Sequence, residues 1–171
     1  MSRAFVRESD VPQREELPTR APTLPPGVKN YLTAAGAQRL RKELMQLVEV
    51  ARPPLASAAP DDIDARRELQ ALDGRIRELQ QSLRNAEIVD PGAGPAEIVR
   101  FGAMVTVRDA SGAESSYRLV GVDETDAVRH WISWQSPLAR ALLNARVGQI
   151  VSLRTPRGAQ ALEIRAIVYE P

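Results

Sequence analysis

Apolar side chains recur at two different periods along this chain. Ala37, Leu40, Leu44, Leu47 and Ala51 are spaced three and four apart, and Leu69, Leu72, Ile76, Leu79, Leu83 and Ala86 repeat that spacing. Heptad seams of this kind put one apolar stripe on each of two helices. Thr33 precedes the first stripe as an N-cap, and the break around Pro60 separates the two. The pattern therefore predicts an antiparallel helical hairpin with its seams face to face. At about 1.5 Å per residue, two arms of roughly 25 residues make a rod on the order of 35 to 40 Å long. Pro53 and Pro54 fall inside the first arm, where each ring removes a backbone bond and presses on the preceding turn, so a kink or interruption is expected there.

Asp90-Pro-Gly-Ala-Gly-Pro95 punctuates the chain, and residues 91–97 read as a linker. Beyond it the period falls to two. Ala103, Val105 and Val107 alternate with Met104, Thr106 and Arg108, Ser111-Gly112 marks a turn, and Tyr117 to Val122 and Arg129 to Trp134 read as further strands. Ser136 and Pro137 supply an N-cap and a first-turn proline for a short helix from Leu138 to Leu143. Val147 to Arg154, the turn Thr155-Pro-Arg-Gly158 and Ala161 to Tyr169 complete a hairpin of strands. The expected fold class is α+β: a helical hairpin over 31–90, then a small, mainly antiparallel sheet with one short helix over 98–171. Residues 1–30 hold five of the 13 prolines among alternating charges. That composition buries too little apolar surface to offset its ordering entropy, so a disordered tail is expected.

Charge and composition exclude several functions. With 23 Lys plus Arg against 22 Asp plus Glu, the formal net charge is +1, so no whole-chain field draws in nucleic acid or an anionic membrane. Partners must be recognised locally. The absence of cysteine removes disulfides, zinc-thiolate sites and thiol catalysis, and fits a reducing compartment. No apolar run approaches the roughly 20 residues that span a bilayer, and the N-terminus lacks a secretory apolar core, so a cytoplasmic protein is expected. His130 lies near Ser133 and Ser136, but residues this close on one strand alternate faces and no Gly-x-Ser-x-Gly elbow accompanies them.

The segment Ser57 to Asp64 is where acids crowd at a turn: Asp61, Asp62 and Asp64 fall within four residues behind Pro60. Acids after a proline start helices by capping free N–H groups at the positive end of the dipole. Carboxylates at a turn can also complete the shell of a weakly held Mg²⁺. Both readings stand for different members of the trio.

A helical hairpin followed by Phe101-Gly-Ala-Met-Val-Thr-Val, Tyr117-Arg-Leu-Val-Gly-Val-Asp-Glu124, Ile132-Ser-Trp-Gln-Ser-Pro-Leu-Ala-Arg-Ala-Leu-Leu143, Val147-Gly148 and Thr155-Pro-Arg-Gly158 resembles the GreA/GreB family of bacterial transcription elongation factors. Leu32-Thr-x-x-Gly36, Leu40-x-x-Glu43-Leu44, Arg52-Pro53, Gly74-Arg75-Ile76 and Asn85-Ala86-x-x-Val89-Asp90 match as well, so the resemblance covers residues 31 to 171. It implies a coiled-coil hairpin joined to an FKBP-like C-terminal domain. It further implies docking at the rim of the RNA polymerase secondary channel, with the hairpin entering the channel toward backtracked RNA. In that family acidic tip residues assist the polymerase's own Mg²⁺, so the resemblance assigns this role to Asp61, Asp62 and Asp64 and leaves the factor without catalysis of its own.

The family's tip run, Gly-Asp-x-x-Glu-Asn-Ala-Glu-Tyr, is missing. The stretch between Pro53 and Gly74 is about twelve residues shorter than in relatives, so each arm loses roughly 9 Å of reach. The expected function is a polymerase-binding factor, acting as a monomer, that modulates elongation. A channel-occupying regulator that does not promote cleavage, like the short-hairpin protein Rnk, is the nearest alternative, and an FKBP-like prolyl isomerase or chaperone module is the more distant one. Such an isomerase needs an aromatic cage, and only 4% of residues are aromatic. The expected docking face is Ser136, Pro137 and Arg140, with Trp134 as its aromatic anchor.

Overall fold

The computed structural model describes residues 28–59, 61–90, 92, 94–156 and 158–169. Most of the expected tail, residues 1–27, lies outside them, whereas Asn30 already belongs to the fold. Strand β1 (Asn30–Thr33) leads into α1 (Ala34–Gln46), a π turn (Leu47–Ala51) and α2 (Arg52–Ala56), which together form the first arm. Helix α3 (Ile63–Arg84) returns as the second arm and passes into β2 (Ala86–Val89).

Thr33 caps α1 as expected, its hydroxyl oxygen accepting the Gly36 N–H at 2.9 Å. Leu32, Ala37, Leu40 and Leu79 are buried between the arms, with Leu44, Leu47, Leu83 and Ala86 packed on them. Toward the tip the seam opens, and Leu69 and Leu72 are only half-buried. The prolines do not interrupt the arm. Instead the helix widens one turn earlier: the Arg52 N–H reaches back to the Leu47 carbonyl, the five-residue span of a π turn. The rings of Pro53 and Pro54 would press on the carbonyls four residues back, those of Glu49 and Val50. Both carbonyls belong to the widened turn.

The second arm is shorter than the expected rod. With 22 residues, α3 is about 33 Å long, because Ala86, which continues the seam spacing, has already left the helix for β2. Strand β2 pairs in parallel with β1, Asn30 opposite Ala86 through Thr33 opposite Val89. A two-stranded ladder thus closes the base of the hairpin.

The remaining strands are β3 (Gly94–Pro95), β4 (Ala103–Asp109), β5 (Glu114–Val120), β6 (Trp131–Ser133), β7 (Ile150–Thr155) and β8 (Gly158–Tyr169), with α4 (Pro137–Leu142) between β6 and β7. They form one sheet in the order β3-β8-β4-β5-β6, with β7 also pairing β8. Two expectations are corrected. The linker contributes β3, which pairs with the end of β8. The strand expected from Tyr117 to Val122 ends at Val120, where Gly121 turns the chain into a short 3₁₀ helix, Val122–Glu124. The sheet is mainly antiparallel, as expected, with β6 alone running parallel to its neighbour β5.

Strand β8 spans the sheet and changes parity midway. Leu162 and Ile164 face the core, and so do Ile167 and Tyr169, a pattern that strict alternation forbids. A bulge resolves it: Thr106 opposes Ala166 while Val107 opposes Ile164, leaving Arg165 unmatched. Val99, Ala103, Val105, Val107 and Leu119 complete this core, and α4 closes it with Ala139 and Leu142. Among the described residues no helix is long and apolar enough to cross a membrane.

Candidate functional site

The chain places its candidate residues at three stations: the hairpin tip, the short helix α4, and the joint between hairpin and sheet. At the tip, Asp62 is the N-cap of α3, one carboxylate oxygen accepting the Ala65 N–H at 2.9 Å. Asp64 sits in the first helical turn, and Asp61 lies just before the cap; all three acids are exposed. Across from them the Ser57 hydroxyl donates to the Pro53 carbonyl at 2.9 Å and closes the first arm. Among the described residues no three acidic or histidine side chains gather closely enough to hold a metal ion. The tip trio therefore does not fit a resident magnesium site.

Below the tip, the arms are tied by Arg52 to Asp73 at 2.8 Å and Arg75 to Glu43 at 2.9 Å. These pairs are exposed, so solvent and salt screen them and neither is a main source of stability. Their value is in fixing the register of the arms. An open cavity of about 320 Å³ follows one face of α3, lined by Arg66, Leu69, Gln70, Asp73 and Arg77.

In the sheet, α4 gathers three of the four expected docking residues. Ser136 caps the helix, its hydroxyl oxygen accepting the Ala139 N–H at 3.1 Å, while Pro137 in the first turn and Arg140 in the last are exposed. Trp134 points elsewhere. Its ring meets Tyr31 edge-on at 5.3 Å, and Tyr31 also packs on Phe101 at 5.9 Å. The half-buried Trp134 ring therefore lies at the joint between hairpin and sheet.

The remaining aromatics are engaged separately. Tyr117 stacks on His130 at 5.7 Å, and the Tyr169 hydroxyl donates to the Ile98 carbonyl while accepting the Arg100 N–H. His130 adopts a left-handed backbone, φ 56°, where β5 and β6 meet. The Trp131 ring is approached by Arg39, Arg118 and Arg129 at 5.2 to 5.3 Å. Ser133 is buried and its hydroxyl oxygen accepts the Gln135 N–H, so it is not presented as a nucleophile.

The joint is what sequence reasoning missed. Glu124, only 1% exposed, accepts the N–H groups of Thr33 at 2.9 Å and Gly121 at 3.0 Å on one carboxylate oxygen, and the Thr33 hydroxyl on the other. Its neighbour Asp123 accepts the Asn30 amide at 3.1 Å and the Ser82 hydroxyl. The Asn30 amide also reaches Ser82 Oγ at 3.0 Å. Arg39 of α1, lying over Trp131 of β6, adds a cation–π contact across the same boundary. Thr33, Gly36, Gly121, Asp123 and Glu124 lie within the motifs Leu32-Thr-x-x-Gly36 and Gly121-Val-Asp-Glu124 that carry the family resemblance, but nothing in their spacing announces the contact between them.

Comparison with known proteins adds the following. A family model described as "Transcription elongation factor, GreA/GreB, C-term" matches residues 94–169. The transcription elongation factor GreB of Neisseria meningitidis serogroup A is 40% identical over 154 residues, covering 82% of this chain and 94% of that protein. The transcription elongation factor GreA of Alkalilimnicola ehrlichii is 38% identical over 152 residues, covering 81% and 96%. Among solved structures, GreA factor homolog 1 of Thermus thermophilus is 29% identical, covering 82% of this chain and 99% of that one with a TM-score of 0.38.

Proposed function

The chain belongs to the GreA/GreB family of transcription elongation factors, and from that premise we propose that it docks on RNA polymerase through its sheet and places the hairpin in the secondary channel to modulate elongation. The observation that carries this reading is a hairpin of about 33 Å fixed at its base to a separate sheet, with exposed α4 residues available for docking. The FKBP-like character of the sheet belongs to the same reading. The factor acts in the cytoplasm as a monomer and performs no catalysis of its own. Pro137 and Arg140 supply the docking contact, and Ser136 orients it by capping α4.

A channel-occupying role without stimulation of cleavage is favoured by one specific observation. Asp62 uses one carboxylate oxygen to cap α3, and the longer acidic tip run of the family is missing from this chain. No step of RNA hydrolysis is assigned to this chain.

The deciding experiment uses a stalled, backtracked elongation complex. Slowed elongation, or competition with a cleavage-stimulating relative, is the expected outcome. RNA shortening that disappears in Asp61→Asn with Asp62→Asn would instead establish tip-assisted cleavage. Replacement of Pro137 and Arg140 by alanine should weaken polymerase pull-down while the fold is kept, and undiminished binding would remove α4 as the docking face.

A further inference from the structure

We propose that Glu124, supported by Asp123, is a positioning residue that fixes the direction in which the hairpin leaves the sheet. This rests on the reading of the hairpin as the inserted element of a docked factor. Glu124 lies on the sheet side, yet its partner Thr33 caps the first arm, and Gly36 in that arm's first turn packs against its carboxylate. Asp123 does the same for the second arm through Ser82, and for β1 through Asn30. Two adjacent carboxylates thus hold both arms, one each.

The fit leaves no slack. A Cβ at Gly36 would stand 1.8 Å from Glu124 Oε1, and one at Gly121 would stand 2.2 Å from the Tyr31 carbonyl oxygen. Such distances are far inside van der Waals contact. The buried carboxylate also sits at the positive end of α1, and directed hydrogen bonds there resist rotation as well as separation. The Tyr31, Phe101 and Trp134 rings and the Arg39 to Trp131 contact brace the same boundary. A change of a few degrees at this base moves a tip about 33 Å away by ångströms.

The test uses the full chain, which has no native cysteine, carrying spin labels at Arg67→Cys near the tip and Gln160→Cys on β8. Pulsed dipolar measurement should give one narrow distance distribution. Glu124→Ala should broaden or shift it. Glu124→Gln should restore it, because the amide oxygen still takes the two backbone N–H groups and its nitrogen faces the Thr33 hydroxyl. Gly36→Ala should broaden the distribution by itself and add nothing in the Glu124→Ala background, where the atoms it would strike are gone.

With a docked complex, Glu124→Ala should lose on the order of tenfold of the effect on elongation while polymerase pull-down persists. If Glu124→Ala does not fold, Gly36→Ala and Asp123→Asn carry the same distance measurement. A narrow, unchanged distribution in the folded variants overturns the proposal. Failure of the parent chain to bind polymerase overturns the docking reading instead, and the distances still judge the joint.

Discussion

Asp62 and Glu124 both use a carboxylate at the start of a helix, and they differ in everything that makes a residue readable. Asp62 caps its own helix three residues on, a spacing visible in the sequence. Glu124 acts on Thr33 across 91 residues of chain, and no local spacing encodes that. Asp62→Ala should therefore cost about 1 kcal/mol in urea unfolding, the ordinary value of a lost cap. Asp61→Ala should stay within about 0.5 kcal/mol, as for an exposed residue without such a role. Equal effects would contradict the capping geometry.

Tyr169 offers a second test at this scale. Burial is the main cause holding its hydroxyl above the ordinary tyrosine range, against the lowering influence of the Arg100 N–H. A group whose folded pKa is raised contributes stability that is intact below its unfolded pKa, about 10, and is lost as pH rises through the folded value. Urea midpoints followed from pH 8 to 11 should fall more steeply in the parent chain than in Tyr169→Phe. Parallel curves would remove tyrosine ionisation as the cause.

Elements were read best where periodicity acts over a few residues. Both helical seams, the Thr33 and Ser136 caps and most strands follow from spacing alone. The exceptions have physical reasons. The seam spacing includes Ala86, but pairing with β1 takes it into a strand, and no helical period can anticipate that tertiary bond. The prolines acted one turn upstream of themselves, on the carbonyls of Glu49 and Val50. In β8 the unmatched Arg165 hides a parity change inside what reads as one run. Deleting Arg165 should leave a regular ladder with Ile164, Ile167 and Tyr169 still inward. Deleting Glu163, two residues away, turns Leu162 outward. The first variant should remain folded by circular dichroism and the second should not; similar behaviour of the two would refute the bulge assignment.

At the level of the molecule, the sequence disclosed a hairpin and a sheet but not how they are held together. The two apolar cores are separate clusters, and the bonds between them are polar or aromatic and distant in sequence. The α4 cap was legible, whereas the inward turn of Trp134 was not, because nothing in its neighbourhood announces Tyr31 as a partner. Coupling between the two cores should depend on this small set of contacts. Calorimetry of the parent chain should show one cooperative transition, and Glu124→Ala should split it into two as each core unfolds alone. A single transition retained at lower temperature would mean that the cores are coupled by something other than Glu124.

The ladder between β1 and β2 has a consequence for how such a molecule can vary. Because the chain departs and comes back at side-by-side, hydrogen-bonded positions, the hairpin is an excursion whose ends are already tied. Matched heptads added to or removed from both arms alter the distance to the tip and leave the base and its register untouched. In the docked arrangement proposed above, the depth to which the tip reaches is thereby a dial separate from the docking face, and a shortened arm is a setting of that dial rather than a damaged part.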